Sequence, residues 1–135
     1  MIADVYSVAD VGADELRWAE SPWQRWPCVR LQDLGPMELA RLGEVLGVDT
    51  YDEVLAGFAF LAGESQESPW VVAVPQGLVQ ALASAGSDEL RQTADGWNSV
   101  LERDERASLE GRLERLAEFL TRHESPFGLY IDTRR

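Results

Sequence analysis

Few side chains in this sequence are of the types that make or break bonds, and their spacing does little to organise them. His123 is the sole histidine and Cys28 the sole cysteine. A multi-histidine zinc site within one chain is therefore ruled out, and a Cys–His pair would need the tertiary fold to bring distant segments together. His123 falls near the end of an apolar-periodic stretch, where the exposed carbonyls of a helix C-terminus favour an imidazolium. Cys28, directly after Trp26-Pro27, has the setting of a small buried apolar residue. Carboxylates are abundant, and Asp49, Asp52 and Glu53 form the tightest cluster. Such a trio has the chemistry of a two-acid hydrolase or a divalent-ion site. It also sits where a helix should begin, because Thr50-Tyr51-Asp52-Glu53 has the spacing of a capping box. An EF-hand loop, GxxxxGK[ST], GxGxxG after a strand, GxSxG and HExxH are all missing. No catalytic residue, metal or cofactor is expected.

The elements that would position these residues are legible from apolar periodicity and turn chemistry. Ile2–Val8 is rich in Val and Tyr and reads as a strand. Asp10–Ala19 reads as a short helix and Cys28–Leu31 as a brief strand. Gly35-Pro36 opens a helix with Leu39, Leu42 and Leu46 on one face and Gly47 as its stop. Thr50 caps a helix whose Val54, Leu55, Phe58, Leu61 and Ala62 imply burial on two sides, although Ala56–Ala62 also has the composition of a buried strand. Further helices begin at Pro75 and at Ser87-Asp88-Glu89. The last carries Leu109, Leu113, Leu116 and Leu120 as one stripe beneath alternating Glu and Arg. Glu20-Ser21-Pro22-Trp23, Glu67-Ser68-Pro69-Trp70 and Glu124-Ser125-Pro126-Phe127 are one string used three times as loop punctuation. Val71–Val74 and Gly128–Ile131 follow two of its copies as strands. The expected fold is α+β: a single helix-dominated domain over residues 1–135, with a small sheet of N-terminal, central and C-terminal strands.

Composition narrows the function. The chain has 135 residues, is 45% hydrophobic with five Trp, and carries a net charge of −12. It is long enough and apolar enough to own a core. A pI near 4.4 leaves no basic stripe for nucleic acid or anionic membranes. No run approaches a membrane span, no signal peptide opens the chain, and one cysteine forms no internal disulfide, so a cytoplasmic setting is expected. All twelve basic residues are Arg and Asn98 is the only Asn, a bias that a GC-rich bacterial genome would produce.

Between Arg41 and Arg91 there is no basic residue, while Glu44, Asp49, Asp52, Glu53, Glu64, Glu67, Asp88 and Glu89 all fall inside. Tyr51, Phe58, Phe60 and Trp70 share that window. An electronegative, partly apolar face suits docking on a basic partner. The candidate contact set is Asp49, Tyr51, Asp52, Glu53, Glu64, Glu67 and Trp70. Small acidic inhibitors, toxin immunity proteins among them, share this profile in kind though not in motif. The alternatives are a homodimeric scaffold or regulatory protein and a carboxylate- or metal-dependent hydrolase. Trp18, Trp23 and Trp26, crowded among Arg17, Arg25 and Arg30, fit either a packed lid over the sheet or an interface.

Overall fold

A computed structural model describes residues 1–9, 11–12, 15–16, 19–64 and 67–134. In chain order the elements are β1 (Ile2–Ser7), β2 (Cys28–Arg30), α1 (Pro36–Val45), α2 (Tyr51–Ala56), β3 (Phe60–Gly63), β4 (Trp70–Ala73), α3 (Gln76–Ser84), α4 (Ser87–Val100), α5 (Arg106–Arg122) and β5 (Phe127–Asp132). The strands form one sheet in the order β2-β1-β5-β4-β3, with every neighbouring pair antiparallel. The fold is α+β, as composition and periodicity predict. Among the described residues no helix is long and apolar enough to cross a membrane.

Strand alternation gives the sheet two distinct faces. Ala3, Val5, Phe127, Leu129 and Ile131 meet Leu39, Leu42, Leu78, Leu82, Trp97, Leu109, Leu113 and Leu116 from the helices. Trp97 is sunk in this layer, where its indole N–H donates to the Glu38 carbonyl at 2.9 Å. On the opposite face Tyr6, Ala62, Val71 and Tyr130 pack against Ile2, Val8, Val11, Leu16, Ala19, Trp26 and Cys28. Part of the chain before β2 therefore covers the face that the helices leave open. All six residues of β5 are buried, because this strand lies mid-sheet with both faces covered.

Local chemistry sets the ends of the elements. Pro36 takes the first position of α1, and the Gly35 amide donates to the Glu38 carboxylate at 2.8 Å. Beyond α1, Gly47 adopts φ +77, and the Gly47 and Val48 amides return to the Glu44 and Gly43 carbonyls. This is a Schellman stop, which favours glycine at the left-handed position. Two of the three Glu-Ser-Pro strings, at Ser68-Pro69 and Ser125-Pro126, contain cis peptide bonds and lead into β4 and β5.

The largest departure from the sequence reading lies between Thr50 and Gly63. The helix ends at Ala56 with Gly57 as its C-cap, and the chain then becomes edge strand β3. Phe58 is buried, but Phe60 is 56% and Leu61 40% exposed. Burial on two sides is thus wrong for this segment. Pairing with β4 overrides the local apolar run, beginning where the Ala73 amide donates to the Ala59 carbonyl at 2.7 Å. Of the helix expected over Asp10–Ala19, Asp10, Ala13, Asp14, Arg17 and Trp18 lie outside the described residues.

Candidate docking surface

The anticipated contact residues fall into two groups, one before and one after β3 along the chain. Asp49, Asp52 and Glu53 surround the start of α2 and are exposed. Here the capping box forms only in part: the Thr50 hydroxyl accepts from the Glu53 amide at 3.3 Å, while the Thr50 amide donates to Asp49 Oδ1 at 2.8 Å. Glu64 and Glu67, also exposed, lie in the connection from β3 to β4. Residues 54–63, which comprise the second half of α2, a connection and the whole of β3, separate the two groups along the chain. Asp88 and Glu89 of the same sequence window open α4, which packs on α1 and α5 and is no part of this edge.

Two arginines from outside the window approach it in space. The Arg41 guanidinium lies 3.7 Å from the Tyr51 ring centroid, so one face of this half-buried ring already holds a cation. Arg134 lines the same open cleft as Glu67, Ser68, Trp70 and Thr133, a space of about 410 Å³. Glu67 contributes to raising the Arg134 pKa, after the dominant hydrogen bond and attraction from Asp132. Asp52, Glu53 and Glu64 form no ion pair among the described residues. Trp70 is half-buried against the helix-side core, and its indole N–H donates to the Glu64 carbonyl at 2.6 Å. Its visible task is to hold the hairpin.

The exposed apolar contact is supplied instead by Phe60 and Leu61, on the outermost strand. The register slips between Phe60 and Ala62, a bulge-like irregularity that reorients side chains at an edge. Gly63 then closes the strand at φ +113, where a β-carbon would stand 2.6 Å from the Pro69 carbonyl. Apolar residues directly before such a glycine, with acids beyond it, are the sequence signal that marks this edge.

A second constellation escapes motif reading altogether. On the sheet face away from the helices, Asp4 is fully buried and accepts from Arg30 Nε and Nη2 at 2.9 and 3.1 Å. Asp132, on the same face, accepts from the Arg134 side chain and amide, all at 3.0 Å, and from the Tyr130 hydroxyl at 3.4 Å. Hydrogen bonding from Arg134 is the main reason the Asp132 carboxyl is lowered to about 2. Burial, with Tyr130 nearby, raises the Tyr6 phenol to about 12. Burial and then Asp4 push the Cys28 thiol up to about 11, with Arg30 acting the other way, so the thiol stays protonated near neutral pH. Among the described residues no buried side-chain nitrogen or oxygen lacks a hydrogen-bond partner. The period-two pairs Asp4/Tyr6 and Tyr130/Asp132 are the trace this face leaves in the sequence.

Cys28 and His123 do not meet. Val29 lines a groove with His123 on the helix side, so the adjacent Cys28 points through the opposite face of the sheet. His123 stacks on Phe119 with centroids 4.2 Å apart. Among the described residues no three His, Cys, Asp or Glu side chains converge as a metal-binding group. In the Trp-rich segment Trp23 is 45% exposed and lies under Arg30 at 4.1 Å, whereas Trp26 packs on the covered face. Arg25 pairs with Glu20 and Glu15. Comparison with protein-family models, curated proteins and solved structures gives no match.

Proposed function

We propose that this chain is a protein-binding module of inhibitor or immunity type that docks on a basic partner and does no bond chemistry itself. One observation carries the reading: an edge strand presents Phe60 and Leu61 to solvent and runs directly into the exposed Glu64 and Glu67, with the exposed Asp52 and Glu53 upstream on α2. Phe60 and Leu61 are only part exposed, so covering what remains of each is worth about half of the 1.5–3 kcal/mol of a whole side chain, against about 0.2–1 kcal/mol for each exposed ion pair. The apolar edge and the acids therefore contribute on a similar scale. The acids set the association rate and exclude anionic competitors. A cytoplasmic bacterial setting belongs to the same proposal and is supported by the Arg-only basic set and lone Cys28.

The test is joint reversal of Asp52, Glu53, Glu64 and Glu67 to Arg, with circular dichroism confirming the fold. Immobilised wild-type protein should retain a specific cationic protein from host lysate, and the reversed variant should lose it. Retention of the same protein in the same yield by both would reject the docking face. Capture by the wild type should also slow as salt rises, because exposed charges are screened over about 10 Å at 0.1 M.

A further inference from the structure

We infer that the partner engages β3 through an extended cationic segment that joins the sheet as an added strand, an inference that rests on the docking reading above. Among the described residues β3 has a strand neighbour only on the β4 side, so its outer backbone groups face away from the sheet and are available for pairing. The other outermost strand, β2, is less suited. Helix α5 packs against it, and its Arg30 is engaged by Asp4 and Trp23. Sheet edges in water are usually blunted by inward charges or by covering elements. β3 carries no charge and is blunted only by its shortness and its irregular register, which leave Phe60 and Leu61 exposed.

Charge selects the occupant. Glu64 and Glu67 follow the strand directly, Asp52 and Glu53 lie upstream of it on α2, and there is no ionisable side chain between Phe60 and Gly63. The complementary segment carries Arg or Lys where it meets Glu64 and Glu67, and β-branched or small residues alongside Phe60–Gly63. A second copy of this chain would bring the same carboxylates to the same edge, each copy carrying −12. Like charges facing each other across strands oppose pairing. The short strand and its irregular register allow only a brief ladder, and the flanking charges would fix its register.

The probe is a synthetic peptide, Arg-Arg-Val-Thr-Val-Arg-Arg, added to the full chain. Its control has the same side chains but N-methyl groups on the adjacent first valine and threonine amides, which removes a backbone donor from each edge of the peptide at constant charge. The parent peptide should bind at least tenfold more tightly than the control and slow amide exchange at Phe60–Gly63 at least tenfold. Phe60→Lys, a surface change that leaves the core intact, should weaken the parent peptide at least tenfold. Equal binding of the two peptides, or unchanged exchange at β3, overturns strand addition while leaving acidic docking intact. No binding by either peptide also overturns strand addition, and docking is then judged by the charge-reversed capture alone. Dimerisation in sedimentation that Phe60→Lys abolishes would assign the edge to a second copy and overturn the cationic occupant.

Discussion

Asp132 shows at the scale of one residue how the covered sheet face contributes to stability. Its folded pKa, about 2, lies below the ordinary 3.8, chiefly through Arg134. The contribution is complete above about pH 4 and disappears as the pH falls towards 2, because the unfolded chain takes up the proton first. Arg134 is 63% exposed, so screening limits the effect to about 1 kcal/mol. Asp132→Asn should accordingly flatten the acid limb of a urea-stability profile between pH 4 and 2. Parallel limbs for variant and wild type would contradict that assignment. The constellation was hard to read in advance because a buried carboxylate looks identical, in a one-dimensional string, to a solvated one. Only pairing Ile2 with Asp132 and Asp4 with Tyr130 puts these groups on one face. The exposed pair Phe60 and Leu61 was hidden for the converse reason, since an apolar run is ordinarily read as core.

At the scale of the element, residues 50–63 carry the main lesson. Thr50 and Gly57 bracket a helix of six residues, too short to persist alone, so tertiary contact decides where it ends. The long amphipathic stripes of α4 and α5 were legible because many residues repeat one message, as Leu109, Leu113, Leu116 and Leu120 do. β3 has only four residues and acquires its identity from β4. Gly63 is the element's structural requirement. Gly63→Ala must accommodate both a left-handed φ and a 2.6 Å approach to the Pro69 carbonyl. A loss of at least about 1–2 kcal/mol is expected from such a change. Chemical denaturation would measure it, and an unchanged midpoint would show that the hairpin can relax around the methyl group.

For the whole molecule, a net charge of −12 makes the compact state self-repulsive. Raising NaCl from about 10 to 300 mM shortens the Debye length from roughly 30 to below 8 Å. Thermal unfolding should therefore shift upward across that range, as read by calorimetry, and a flat or falling midpoint would mean that local ion pairs outweigh the global field. The overall class was legible because composition and periodicity act over the entire chain, whereas strand order depends on distant partners. β5 joins β1, from the other end of the described chain, to β4 at the centre of the sheet. A nascent chain can therefore form its helical hairpins early but cannot unite the two halves of the sheet until Phe127–Asp132 has been synthesised. That high contact order slows the final step. Until it is complete, Ala3 and Val5 lack their native cover, and chaperone demand should be greatest during this interval.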